Sequence, residues 1–299
     1  MTSNLLQKLQ KKTNHKLKLV PVFSGDKNEK YLSEFLKRQT FIKPKKIFSV
    51  LKINYIKENP IGYILCKNEN QVVGFLGTIF SKRKIKSSLI DHCYLHSWIV
   101  DKDYRTQSFR LIAPILDKKL FVSTYSPIKT LEGLYKKLGF SEKTFYTKII
   151  LTFPLRLLGR SKAKITDDQS IIKDVLLDDN KKIYTDHLSL KNNMILVYFD
   201  NNVKDNIFII VKKKYKKLLL PVLEIIYVSN LDKFRRNEKD IVYELIKKFK
   251  TFIFVQNFFE NESALSKDHL FSKLKNKKAY YLNIPTNFNF NFLYSEIFD

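Results

Sequence analysis

The chain presents the same order of short apolar runs and amphipathic stretches twice. Gly74 matches Asn206, Tyr94 matches Leu223, Leu120 matches Thr251 and Phe145 matches Lys278, each about 130 positions on. A repeat of this length restricts the fold, because both halves must build the same supersecondary unit. In the first half, Lys30–Arg38 and Lys45–Glu58 have helical periodicity. Ile61–Lys67 and Gln71–Phe80 alternate as a hairpin around a polar turn at Asn68–Asn70. Then come a strand at Tyr94–Val100, a charged loop at Asp101–Arg110, a helix at Leu111–Lys119 and a strand at Leu120–Ser126. A helix at Thr130–Leu138 and a closing strand at Phe145–Phe153 end the half. The second half repeats the hairpin at Asn193–Phe199 and Asn206–Lys212. It continues with a strand at Pro221–Ser229, a helix at Glu238–Phe249, a strand at Thr251–Phe258 and a closing segment at Lys278–Pro285. The expected class is α/β (α+β): two domains, each a mixed, mostly antiparallel sheet flanked by helices. The boundaries read as a basic N-terminal arm at 1–18, a domain at 19–153, a Pro/Gly/Arg-rich linker at 154–164 and a second domain at 165–299.

Composition excludes several classes. With 44% hydrophobic and 14% aromatic residues the chain lies outside disordered compositions. No run approaches the roughly 18 apolar residues of a membrane-spanning helix. The Lys-rich N-terminus has no apolar core after its charges, unlike a secretory signal. Cys66 and Cys93 have no metal-site spacing and read as buried small hydrophobes rather than a disulfide scaffold. A cytoplasmic protein is expected. The net charge of +26 accompanies abundant Lys, Asn, Ile and Phe and only 7 Gly and 1 Trp, the signature of an AT-rich coding sequence. Such a surface draws polyanions, whether phosphate-bearing small molecules, RNA or an anionic membrane face. Nucleic acid is the less favoured of these partners. No Ser-His-Asp order, HExxH or P-loop is present, so covalent or metal chemistry is not expected.

The residues that carry chemistry lie in the first half. Leu134–Phe140 reads LYKKLGF, with Tyr135 four positions before Gly139. Gly139 suits a helix C-terminus and Phe140 an anchor in the core. Earlier, the strand and its exit read WIVDKDYR, followed by the window Arg105, Thr106, Gln107, Ser108, Phe109, Arg110. His96, with Asp91 and His92 before it, supplies the nearby titratable groups. From Val20 to Phe153 this pattern resembles the GNAT superfamily of acyl-CoA N-acyltransferases, in which the Tyr-x-x-x-Gly-Phe ending closes the acyl-CoA-binding half. The resemblance implies acetyl-CoA as donor, no metal, and direct attack of an acceptor amine on the thioester. It implies that Trp98, Ile99 and Val100 pair with the pantetheine amide and that Arg105–Arg110 hold the pyrophosphate. The family's Arg/Gln-x-x-Gly-x-Gly/Ala loop here has Ser108 and Arg110 at its glycine positions. Glycine lets a backbone approach a phosphate closely; Ser108 offers its hydroxyl as an extra donor, and Arg110 either obstructs the site or turns outwards and pairs with a phosphate. Tyr135 stands where the family's general acid stands, and His96 is the candidate base.

The second half lacks these motifs. NLDKFRRNEK after its third strand contains no glycine, and no Tyr-x-x-x-Gly-Phe follows TFIFVQNF. Its expected role is structural, a degenerate copy that completes a cleft. Arg235 and Arg236 with Lys212–Lys217 read as a basic wall or as solvated hairpin and helix ends. The leading expectation is an N-acetyltransferase acting on an amine, with an amino sugar of a surface polysaccharide as the expected acceptor. The alternatives are a transferase resembling the Fem family, which takes amino acids from aminoacyl-tRNA, and a non-catalytic GNAT-like binding module.

Overall fold

A computed structural model describes residues 17–40, 44–53, 55–68, 70–85, 88–125, 127–152, 161–190, 193–199, 201–215, 220–259, 265, 271–286, 288 and 292–294. Of the expected arm at 1–18 and linker at 154–164, residues 1–16 and 154–160 lie outside them; Lys18 and Ala163–Lys164 fall within strands. Two compact units form, one from the chain up to Lys143 with residues 279–288, the other from residues 144–278 with the last described residues.

In the first unit, strand β1 (Lys18–Val22) leads into helix α1 (Lys27–Arg38) and helix α2 (Pro44–Leu51). Asp26 starts α1 by accepting the amides of Asn28 and Glu29, and Glu29 reaches back to the Gly25 amide at 2.7 Å. Leu32, Phe35 and Leu36, spaced i, i+3, i+4, are its buried stripe. Strands β2 (Gly62–Cys66), β3 (Val72–Ile85) and β4 (Ser88–Val100) then form an antiparallel meander. The β3–β4 hairpin is longer than the apolar pattern predicts. Lys82, Arg83 and Lys84 interrupt the alternation, yet they continue the ladder, with Lys82 opposite and ion-paired to Asp91. A 3-10 helix (Lys102–Leu111) replaces the expected loop, and the helix after it, α3 (Ala113–Leu116), is only four residues long, with Pro114 in its first turn. Strand β5 (Phe121–Tyr125) pairs parallel to β4, and helix α4 (Lys129–Lys137) follows.

The closing strands differ from the expectation. Strand β6 (Ser141–Leu151) does not close the first unit; residues 145–151 pair antiparallel with β11 (Ile253–Phe259) of the second. The free edge of β5 is instead covered by Ala279–Leu282, the end of strand β12 (Phe271–Leu282). Each closing segment extends an antiparallel ladder, so backbone pairing is satisfied either way. Local sequence therefore does not decide the partner.

The second unit runs through strand β7 (Ala163–Thr166), helices α5 (Gln169–Val175) and α6 (Asp178–His187), and strands β8 (Asn193–Phe199), β9 (Asn202–Tyr215) and β10 (Pro221–Val228). Helices α7 (Leu231–Arg236) and α8 (Glu238–Phe249) precede β11, which is parallel to β10. The order of elements follows that of the first unit as far as β11; among the described residues no helix corresponding to α4 lies between β11 and β12. Ile195, Ile209, Leu223, Ile225, Val242 and Leu245 belong to one apolar core between this sheet and α7–α8.

Two glycines of the first unit make opposite predictions. A Cβ on Gly62 would meet the Leu76 carbonyl oxygen at 2.7 Å and the Phe75 ring. Gly133 in α4 has nothing within 4 Å of its would-be Cβ. Gly62→Ala is expected to destabilise by about 2 kcal/mol through overpacking, and Gly133→Ala to stabilise by about 0.5–1 kcal/mol as a helix-interior substitution. Urea unfolding of the two variants checks both signs.

Candidate active site

Strand β4 contains a bulge. Phe75 faces Ile99 and Gly77 faces His96, so Leu76 alone opposes both Ser97 and Trp98. Ser97 adopts a positive φ of 50° there. Beside the bulge, the parallel ladder to β5 covers only His92–Tyr94 against Phe121–Ser123. Strand β4 runs on to Val100 and β5 to Tyr125, so the two part just past Tyr94 and Ser123. The result is a fork with peptide edges on both prongs.

Tyr135 spans this fork. Its ring packs edge-on against Trp98 of β4 with centroids 5.6 Å apart. Its hydroxyl shares a hydrogen bond with the side chain of Thr124 on β5. The ring also stacks on Tyr280 at 5.5 Å, a residue from the far end of the chain that donates to Glu142 at 2.8 Å. Tyr135 is 2% exposed, and burial pushes its phenol well above the ordinary tyrosine range. The hydroxyl is therefore protonated and a weak acid. Gly139 stops α4 at φ 86°, with Phe140 N–H donating to the Tyr135 carbonyl and Gly139 N–H to that of Lys136. These two bonds and the contact between the Phe140 and Tyr135 rings, at 5.1 Å, form a Schellman cap. The Gly-Phe ending is thus a helix stop.

Trp98 is partly buried, but its Nε1 is covered and meets no hydrogen-bond acceptor among the described residues. An orphan donor of this kind costs roughly 1–3 kcal/mol. On the opposite face of β4, His96 packs its ring over Gly77, where any Cβ would collide with it, and its Nδ1 lies 3.0 Å from Ser97 Oγ. Burial pushes its pKa down to about 3. His92 is also buried, with Nδ1 3.1 Å from Ser81 Oγ and Nε2 2.8 Å from Ser123 Oγ; burial and the Arg83 charge hold it neutral. Asp91 is exposed beside Lys82 and stands apart from the fork.

The window 105–110 departs further from a phosphate loop than its sequence suggests. It lies inside the 3-10 helix, whose amides bond to carbonyls three residues earlier. Gln107 and Phe109 are buried, and Arg110 donates to the Leu17 carbonyl at 2.8 Å. Arg105 and Thr106 are exposed and Ser108 is partly so. The structure therefore gathers Trp98 and Tyr135 at the fork, sets His96 on the other face of the sheet, and holds the 105–110 amides in a helix. Sequence reasoning missed Thr124 and Tyr280. Thr124 sits in an ordinary strand, and Tyr280 reaches the site only through the exchanged closing strand. Among the described residues no group of three or more His, Cys, Asp or Glu side chains is arranged to hold a metal, and no helix is long and apolar enough to cross a membrane.

No protein-family model matches the chain, and no curated protein matches it. Solved structures do. A GCN5-related N-acetyltransferase from Anabaena variabilis superposes with a TM-score of 0.60 at 11% identity, over 89% of this chain and 72% of that one. A glucosamine N-acetyltransferase region of a fungal multi-domain GH3 β-N-acetylglucosaminidase gives 0.62 at 11% identity, over 91% and 38%. Saccharomyces cerevisiae N-myristoyltransferase, solved with myristoyl-CoA, gives 0.54 at 9% identity, over 91% and 83%. The chain has the GNAT fold, as the resemblance in Leu134–Phe140 implies.

The buried histidines make stability depend on pH. In the unfolded chain His96 takes up a proton near pH 6.5, whereas the folded protein refuses it down to about 3. Stability is therefore full above about 6.5 and falls as pH drops below it, by about 2 kcal/mol at pH 5 for this one residue. Urea titrations at pH 8 and pH 5 are expected to show this loss, and His96→Gln to reduce the pH-dependent difference by that amount.

Proposed function

We propose that the first unit is an acyl-CoA-dependent N-acyltransferase, with acetyl as the acyl group. The observation that carries the reading is the β4–β5 fork with Tyr135 bridging Trp98 on one prong and Thr124 on the other. A thioester threaded between the prongs can pair its pantetheine amides with the exposed edge at Trp98–Val100. The exposed Arg105 offers its phosphates a guanidinium in place of the missing glycine amides. The acceptor amine attacks the thioester carbonyl carbon, an N–C bond forms, and the C–S bond breaks. Coenzyme A leaves as a thiolate, and the amine's displaced proton balances it as the free thiol.

The raised pKa changes the role proposed for Tyr135. Full proton transfer from so weak an acid to a thiolate is uphill, so the phenol acts as a hydrogen-bond donor that stabilises the developing charge on sulfur. His96, neutral and on the opposite face of the sheet, is a weak candidate for the base. An amino sugar remains the proposed acceptor, supported by the fold shared with the glucosamine N-acetyltransferase region at low identity.

The two units share the order of their elements as far as β5 and β11, and β10 also carries a register shift, between Ile225 and Tyr227, about 130 positions beyond Ser97. On this ground we infer a tandem duplication, with the second copy degenerate and structural. The 3-10 helix at 102–111 favours one other reading, a GNAT-like binding module without turnover.

Tyr135→Phe separates the two. With acetyl-CoA and glucosamine as substrates, the transferase reading expects kcat to fall about tenfold to a hundredfold while the affinity for acetyl-CoA in calorimetry stays within twofold. Absence of acyl transfer by the unmodified protein, with acetyl-CoA bound, favours the module.

A further inference from the structure

Trp98 is the single tryptophan of the chain, and its indole N–H is the feature of the fork that the reaction above does not use. Neighbouring polar groups at the fork are engaged. The Tyr135 hydroxyl meets Thr124, His92 bridges Ser81 and Ser123, and Tyr280 donates to Glu142. The Trp98 nitrogen alone among these is covered by protein without an acceptor. A buried donor in this condition calls for a specific partner, and a ligand that enters the fork is one that would satisfy it. Its position fits that reading, because Trp98 follows the bulge residue Ser97, on the prong of β4 that β5 has abandoned. The indole also touches the Tyr135 ring, which reaches the other prong. A group entering between the prongs would separate Trp98 from its aromatic cover and present an acceptor to the N–H.

We propose that the indole N–H of Trp98 donates a hydrogen bond to a carbonyl oxygen of the bound acyl donor. This rests on the fork being the donor site. Indole is a donor only, so its partner must be an acceptor. Along an acyl-pantetheine chain the strongest neutral acceptors are carbonyls, of either the thioester or the pantetheine amides. A bond to the thioester carbonyl would strengthen as that oxygen becomes negative during attack, making Trp98 a catalytic residue. A bond to an amide carbonyl would make it a binding residue that sets the depth of the chain.

With only one tryptophan, 15N-labelled protein gives a single indole N–H signal in an NMR correlation spectrum, and calorimetry of Trp98→Phe gives the affinity. The spectrum is followed while acetyl-CoA, and separately coenzyme A, is added. A downfield shift with both, and affinity for both reduced about fivefold to tenfold in Trp98→Phe, supports the amide carbonyl. A shift and a loss confined to acetyl-CoA support the thioester carbonyl. If the unmodified protein binds acetyl-CoA while the indole signal does not move downfield and Trp98→Phe binds within twofold, the inference is overturned and the fork remains the donor site. If neither compound binds the unmodified protein, the donor site itself is refuted and the inference falls with it. Circular dichroism and thermal unfolding of Trp98→Phe show whether lost affinity reflects lost folding, and the indole signal of the unmodified protein decides independently of that variant.

Discussion

The bulge in β4 is the constraint on which the first unit's site depends. Two residues, Ser97 and Trp98, oppose the single Leu76, so the strand must twist away from its antiparallel register at that point. Gly77 makes this feasible, because the His96 ring occupies the volume that any side chain at 77 would need. With β4 turned, β5 cannot follow it, and the parallel ladder ends after three registers. The peptide edge left along Leu95–Val100 is what a regular sheet would have sealed. The opening is thus a consequence of backbone pairing, and the side chains around it decorate a gap that already exists.

The second constraint is the exchange of closing strands. Strand β5 needs a neighbour on the edge away from β4, and Ala279–Leu282 supplies it. This brings Tyr280 under Tyr135, so the phenol at the fork is buried by a residue from the end of the chain. The raised pKa of Tyr135 therefore depends on a contact of very long sequence separation. Loop-closure entropy opposes such contacts until late in folding. The fork of the first unit is accordingly complete only once the C-terminal strand has docked.

Much of this was legible in the sequence where a local period carried the signal. The α1 stripe, the β2–β3 hairpin and the end of α4 follow from spacing alone. The extension of β3 and β4 was hidden because Lys82, Arg83 and Lys84 look like a solvated turn, whereas Lys82 pairs across the strands with Asp91. The 3-10 helix was hidden because KDYRTQSFRL has weak amphipathic period, and the buried Gln107, Phe109 and Leu111 fit a three-residue turn only in part. The strand exchange has no local signature, since TFYTKII and KAYYL are both short runs rich in β-formers and both end at an edge that needs pairing. Trp98 and Tyr135 could be found from motif position. Their partner Tyr280 could not, because the topology that unites them is decided by which edge each closing strand reaches.

The Tyr-x-x-x-Gly-Phe motif illustrates how much of a sequence signature is architecture. A Schellman stop asks for glycine at the left-handed position and an apolar residue after it to contact the helix's last turn. Gly139 and Phe140 meet that demand, and the ring of residue 135 is the surface that Phe140 covers. A phenylalanine at 135 would satisfy every one of these contacts, including the stack on Tyr280 and the edge against Trp98. What the cap does not require is the hydroxyl, and that oxygen is the atom bonded across the fork to Thr124. The chemistry in the motif thus reduces to one oxygen. Its meaning comes from the strands on either side of it rather than from the four letters that follow.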